Sequence, residues 1–568
     1  MTKIVVVGGG LGGLAAALFS ARRGHEVVLL ERDEAPPEGT ADDDFERWDR
    51  PGVPQARQSH NFLGLSCAVL SAEAPDLVEA LLARGAMRTD VSVGGRGADP
   101  DAGELSLLCR RLVYEAVVRR AVAHQPGVTM RAGVAAVGLL THRAHDTSPI
   151  ALGVRTDAGD EVEADLVVDS SGRRSPAAQW LEDGGAEVPS TRVQECGFHY
   201  HTRFYRLRDG RAFPDTAIPI ITALDYATVM AFPGDNGTFS LSSSVSTEDP
   251  LRLKLRDPER FDRFLANVPV TAPWIDAGEP ISDVNPMARI ENRWRRLVDG
   301  DGRPIVGGLV LVGDSSLHTN PTFGRGVSLA FAQAQHLAAT AEQVHADPVG
   351  YVGAFEDWTA SHLGVWYESQ VAADGAALER MTAGLRGEHP PPSENPISRF
   401  IAAMIALSAT DQEVSRALAR IAHLLMTPQE LFADAPLVDR INAHAAAHPT
   451  PDEAALVRRV QRPGTAQSPP SPVVEGQSLG PAVGRIWRRA HIATVGHGGD
   501  DLRRALRRHA QPGGQLGQRH RALAQGPEHV AVRRAEVVEA RGAHLGPQPL
   551  REGGVGRPQE DPEIGFYR

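Results

Sequence analysis

Three glycines spaced as Gly8-x-Gly10-x-x-Gly13 stand where a short apolar run, residues 3–7, gives way to an alanine- and leucine-rich stretch, 11–24. A strand entering a helix through such a turn is the context in which this motif binds a dinucleotide. The first glycine makes the turn, the second lets the backbone approach a pyrophosphate, and the third lets helix and strand pack closely. The helix N-terminus, beginning at Leu11, adds free amides and partial positive charge. Glu31 closes the next apolar run, 26–31, with Arg32 behind it. A carboxylate there accepts hydrogen bonds from an adenosine ribose and repels a 2′-phosphate, so the residues point to FAD or NAD rather than NADP.

Three later segments bear on that choice. Arg111 opens a helical stretch that could bring a guanidinium to a cofactor; alone it would read more readily as a solvated helix-face arginine. Asp169-Ser-Ser-Gly-Arg-Arg-Ser175 follows a buried apolar run. Gly313-Asp314 through Gly324-Arg325-Gly326-Val327 joins a strand to a long helix, offering an aspartate for a ribityl hydroxyl and a glycine turn for an electron-rich flavin ring.

With these segments in this order, the chain resembles the FAD-dependent monooxygenases related to p-hydroxybenzoate hydroxylase, and within them the bacterial epoxidases and hydroxylases of polyketide and other natural-product intermediates. The similarity spans about 1–445. Its most telling part is Arg50-Pro-Gly-Val-Pro-Gln-Ala-Arg-Gln-Ser-His60, and Tyr200-His-Thr-Arg-Phe-Tyr-Arg206 fits the same group. The resemblance implies FAD contacts at Gly8, Gly10, Leu11, Gly13, Glu31, Arg32, Arg111 and Asp314, with Gly324, Gly326 and Val327 at the flavin ring. The chain departs from the group in Ser315, usually alanine, and in Arg325 and Ser328, commonly glutamine and asparagine.

The resemblance also implies a reaction. Reduced flavin and O2 would form a C4a-hydroperoxide that delivers one oxygen atom, by epoxidation or hydroxylation, to an apolar intermediate of secondary metabolism such as antibiotic biosynthesis. The cofactor does the hard chemistry, and the protein positions substrate and excludes water. His60, Tyr200, Arg203 and His318 are the polar candidates for the substrate pocket; each is more often a satisfied structural residue. With one dinucleotide motif, NADPH or NADH visits transiently or a separate flavin reductase supplies electrons.

Other readings remain. An isoprenoid-reductase type of FAD-dependent reductase or dehydrogenase carries nearly the same motifs. A halogenase shares the fold but relies on a lysine and a Trp-x-Trp-x-Ile-Pro segment; here the lysines are Lys3 and Lys254, and that segment is missing. A flavin-free binding protein would lack the intact second glycine turn.

The elements expected to position these residues form an α/β protein. A Rossmann-type FAD-binding domain, 1–185 and 301–345, is split by a β-rich substrate domain, 186–300, and followed by a helical region, 346–462. Within the β-rich part, 226–232 and 238–245 flank Gly234-Asp-Asn-Gly237, a hairpin signal. The segment 463–568 is rich in Gly, Pro, Gln, Arg and His and reads as a disordered tail, native or arising from a frameshift, with a short helix near 501–510.

Composition sets limits. At 568 residues, 42 % hydrophobic and 23 % charged, the chain is ordinary globular material. A net charge of −12 disfavours nucleic acid as a partner. Cys67, Cys109 and Cys196 form no Cys-x-x-Cys pair, and the histidines show no metal-ligand spacing; His444 and His448 read as a solvated helix face. No apolar run reaches the roughly 18 residues of a membrane span, and the chain opens directly into its first strand, so a cytoplasmic enzyme is expected.

Overall fold

Ile4, Val5 and Val6 are wholly buried, the condition of a strand covered on both faces. In the computed structural model, which describes residues 1–91, 104–143, 148–214, 220–388 and 396–448, the strand Lys3–Val7 lies at the centre of a five-stranded parallel sheet. The order is Leu309–Leu311, Leu166–Asp169, Lys3–Val7, Glu26–Glu31, Val128–Ala132. Strands far apart in the chain thus become neighbours: Val7 and Leu311 both register with Asp169. The turns after these strands share one sheet edge, the carboxyl end where such sheets bind ligands.

Two helices start from these turns. Leu11–Arg22 and Gly326–Thr340 pack so closely that a Cβ on Gly12 would lie 3.2 Å from the Ala330 Cβ. Phe19 and Phe331 meet edge to face, with centroids 6.1 Å apart.

The second sheet is antiparallel and runs Ile220–Ala223, Ala227–Pro233, Thr238–Ser246, Phe198–Leu207, Gly278–Pro280, with Asn285–Met287 also on Phe198–Leu207. The expected hairpin is present, and Asn236 and Gly237 take positive φ at its tip. The stretch 195–300 is not strand throughout, however. Asp257 caps a helix, Pro258–Ala266, through the Arg260 amide, and Phe261, Phe264 and Leu265 recur at helical spacing to bury one face. Together with Trp274 they cover one side of the second sheet.

Helices occupy most of the described chain after Gly326, the longest being Pro348–Leu385. Among the described residues, no helix is long and apolar enough to cross a membrane. The segment 463–568 and its suggested short helix lie outside the described residues.

The helical region ties back to the site through His423, whose Nδ1 accepts the Gly64 amide at 3.0 Å and must therefore be unprotonated. Burial holds His423 down at about 3, and it also holds the buried His201 down, to about 4. Below the unfolded histidine value of about 6.5, only the unfolded chain takes up these protons. Stability is therefore expected to fall on acidification from about pH 6.5 to about 4, by up to about 1.4 kcal/mol per pH unit for each histidine. Urea unfolding across that range measures the slope, and His423→Gln is expected to flatten it.

Candidate FAD and substrate site

The glycine turn performs three separate tasks. Gly8 sits at φ +98°, and a Cβ there would lie 2.5 Å from the Ser170 carbonyl oxygen. At Gly13 a Cβ would be driven into the Gly8 carbonyl, whereas at Gly10 it would meet no atom within 4 Å. The open position is the one meant to face a pyrophosphate. Gly10 is also the cap of Leu11–Arg22, with no side-chain cap bond and no acidic residue in the first turn, so the leading amides are free for phosphate. Leu11 itself is buried and contributes its backbone position.

At the far end of the second strand, Glu31 is buried and accepts from the Gly9 and Asp33 amides, each at 2.8 Å. Burial opposes its charge, but Arg50, the Asp33 amide and Arg119 outweigh burial and hold the carboxyl below its usual range. Arg50, fully enclosed, also bonds Asp33 at 2.8 Å and Glu115 at 2.8 Å. Arg32 is largely exposed, its Nε 3.9 Å from Asp33. Arg50 was visible in the sequence only as part of a motif; three acids converging on one buried guanidinium required the fold.

Arg111 pairs with Glu115 at 2.8 Å, which links it to the Arg50 cluster, and its Nε is buried with no partner. Across the site, Asp314 lies 3.3 Å from His318 Nδ1, and Gln55 Nε2 donates to it at 3.5 Å. Burial works against the Asp314 charge, but His318, Arg111 and Arg173 prevail and hold its carboxyl below the usual range.

The two turns come together over Ser170. Its Oγ would lie 3.1 Å from a Cβ on Gly12 and 4.0 Å from one on Gly313. Ser315 completes the junction: its hydroxyl accepts the Gly172 amide at 2.8 Å and reaches Asp169 at 3.2 Å. A serine in place of alanine therefore pins the loop after Asp169 to the Asp314 turn.

Gly324 takes φ +66° beside the Asn61 carbonyl oxygen. Gly326 begins a helix with no side-chain cap, and Val327 packs partly buried in its first turn. Arg325 turns away from this face into the helical layer. It donates to the Trp366 carbonyl at 2.9 Å and Ser369 Oγ at 2.8 Å, and stacks on Trp366 and Phe323.

Against the Gly324 turn lies a pocket lined on one side by Ile221, Met230, Phe232 and Met287, and closed by Pro321 and Phe323. Its polar lining is neutral: Gln58, Ser59, Asn61, Tyr200, Thr202, Ser242 and Thr322. Burial raises the Tyr200 phenol, so it stays protonated.

The four pocket candidates are distributed unevenly. Tyr200 lines the pocket. His60 lines a smaller cavity with Cys109, Arg110 and Phe232; burial and Arg111 hold its imidazole well below the ordinary histidine range, so it is neutral at pH 7. His318 stands beside Asp314. Arg203 must be corrected: strand side chains alternate, so it lies on the face opposite Tyr200 and Thr202, bound to Asp262 at 2.6 Å and the Ser282 carbonyl at 3.0 Å. Thr202, Ser242 and Asn61 were not singled out by sequence, because hydroxyl and amide residues in strands and loops carry no motif.

The open Gly10 cradle, two uncapped helix starts, and the orphaned Arg111 Nε fit a dinucleotide cofactor lying between the two turns. Among the described residues, no group of acidic, histidine or cysteine side chains is arranged to hold a metal ion.

Comparison with known proteins agrees with this geometry. Residues 3–98 match the FAD dependent oxidoreductase family. The chain is 26 % identical over 363 residues to Protein Rv3254 of Mycobacterium tuberculosis (strain ATCC 25618 / H37Rv), a match covering 59 % of this chain and 71 % of that one. Among solved structures, the flavin-dependent brominase Bmp2 superposes with a TM-score of 0.52 at 14 % identity, covering 79 % of this chain and 99 % of that one. Pseudomonas aeruginosa PqsL, in complex with 2-aminobenzoylacetate, does so with a TM-score of 0.50 at 16 % identity, covering 68 % and 99 %. The matched segment, which holds the first glycine turn and Glu31, is similar to the FAD dependent oxidoreductase family, and the fold is one that these solved structures share.

Proposed function

We propose that the chain is a monooxygenase that places one atom of O2 into an apolar, secondary-metabolite-like substrate, by epoxidation or hydroxylation. The observation that carries this reading is the pocket on the Gly324 turn: uncharged, apolar on one side, with no lysine, carboxylate or histidine in its lining. Such a lining suits chemistry whose reactive oxygen is supplied by a bound cofactor and leaves the protein to orient the substrate and exclude water.

FAD, when bound, supplies two-electron reduction and the activation of O2. The chain's own residues have simpler tasks. The Gly8–Gly13 turn and the amides at Leu11 would hold the pyrophosphate, with Glu31, fixed by Arg50, on the adenosine ribose. Asp314 would take a ribityl hydroxyl, and the uncapped start of Gly326–Thr340 would face the ring. NADPH, NADH or a flavin reductase would donate the electrons.

Fold alone does not choose the reaction, since a brominase shares it. Against halogenation stands the position of the only two lysines, Lys3 at the start of the central strand and Lys254 in the short helix Leu251–Lys254, neither of them in the pocket. The test is turnover of 2-naphthol under ¹⁸O₂ with a reductant. One labelled oxygen in the product supports the reading; substrate oxidation or reduction with no label incorporated favours a dehydrogenase.

A further inference from the structure

Every hydroxyl proton that can be traced in the pocket wall is already committed away from the cavity. The Gln58 amide is oriented by its Nε2, which donates to the Asn285 carbonyl at 3.1 Å, so its Oε1 can only accept. Thr202 donates to that Oε1 at 2.7 Å. Ser242, 2.6 Å from Thr202, must then donate to it; Ser59, 2.7 Å from Ser242, donates in turn; and Ser240 donates to Ser59 at 2.8 Å. The chain has one direction, from Ser240 to Asn285.

A second chain behaves alike. The backbone amide of Asn320 donates to Asn292 Oδ1 at 2.7 Å, which turns the Asn292 Nδ2 toward Asp374, at 2.7 Å. Asn320 Nδ2 donates to the other Asp374 oxygen at 2.8 Å, leaving its own Oδ1 to accept Tyr200 OH at 2.7 Å. The Tyr200 proton being used, the close contact with Thr322 Oγ1 requires Thr322 to donate. Both hydroxyls face the pocket with lone pairs only. The donors left in the lining are the Asn61 amide nitrogen and the second N–H of Gln58; at Tyr200 and Thr322 the pocket offers acceptors alone.

We infer that the hydroxyl wall of the pocket at Tyr200 and Thr322 is an acceptor-only surface, selecting an apolar skeleton that places a hydrogen-bond donor there, such as a phenol or alcohol, over one that places an ether, carbonyl or carboxylate oxygen there. The inference rests on the proposed substrate site and narrows its substrate class. Asp374 touches no substrate; it acts as a positioning residue that sets the direction of the Tyr200 hydrogen bond through Asn320. The preference follows because an acceptor facing buried lone pairs leaves both unpaired.

The test is calorimetric binding of 2-naphthol, 2-methoxynaphthalene and 2-ethylnaphthalene to the FAD-reconstituted chain. The naphthol is expected to bind at least tenfold tighter than the ether, and the ethyl compound, the ether's apolar isostere, no worse than the ether. In Asp374→Asn the new amide can donate to Asn320, which turns its own NH2 to Tyr200 and frees the phenol proton. The naphthol-to-ether ratio should then fall at least threefold. Tyr200→Phe, which removes only the hydroxyl, should also lower it and covers the case in which the first variant does not fold. Equal binding of naphthol and ether by the wild type, or an unchanged ratio in Tyr200→Phe, overturns the inference. Labelled oxygen insertion without donor preference sinks this inference alone; donor preference without insertion sinks the monooxygenase reading alone.

Discussion

Gly10→Ala is expected to leave the melting temperature of the FAD-free protein unchanged and to weaken FAD binding at least tenfold. Gly13→Ala is expected to lower both. Gly10 has φ −73° and ψ 175°, a conformation alanine adopts freely, and a Cβ there meets nothing within 4 Å. The new methyl group intrudes only when a pyrophosphate occupies the cradle. At Gly13 the methyl is forced against the Gly8 carbonyl, where neither backbone can yield without parting the first helix from its strand; overpacking of this kind costs about 1–3 kcal/mol or more. Thermal melts of the FAD-free proteins beside FAD titrations separate the two effects. A Gly10→Ala protein with undiminished affinity would mean that the first turn does not hold the phosphates.

Arg50→Met is expected to cost about 3–5 kcal/mol of stability at pH 7, because it leaves three buried carboxylates facing one another. Glu31, Asp33 and Glu115 all converge on this guanidinium, which has no solvent exposure. Without it, burial and mutual repulsion must raise their pKa values. An acid whose folded pKa is raised destabilises the fold above that pKa and ceases to do so as pH falls through it. The deficit of the variant relative to wild type should therefore shrink between pH 7 and about 5, which urea titrations at several pH values will show. A constant deficit would mean that Arg50 acts through packing rather than charge.

Much of this architecture was legible because it rests on local pattern. The turn at Gly8–Gly13 sits between a strand and a helix that each announce themselves, and the Gly324–Gly326 turn precedes a long alanine-rich helix. The α/β class and the parallel sheet followed from the same periodicities. What stayed hidden was long-range. Nothing in the sequence says that Asp374 will stand behind Tyr200, 174 positions earlier, or that Ser59 will meet Ser240 and Ser242. Arg203 looked like a pocket residue because it lies in the segment that also holds Tyr200; strand alternation places it on the other face with Asp262. Arg325, where the group commonly has glutamine, sends its side chain into the helical layer at Trp366 and Ser369, a direction that local sequence does not fix. In the helix Pro258–Ala266, capping by Asp257 and apolar spacing prevailed over the strand-rich surroundings.

The turn at Gly8–Gly13 and the turn beginning at Asp314 are expected to grip the two ends of a single flavin nucleotide. Flavin released by denaturing the purified, FAD-saturated chain tests it most directly, once for the wild type and once each for Gly10→Ala and Asp314→Ala. One FAD per chain in the wild type, with clear loss in both variants, is the predicted result. Full FAD content in either variant, or a wild-type chain that retains none, would contradict it.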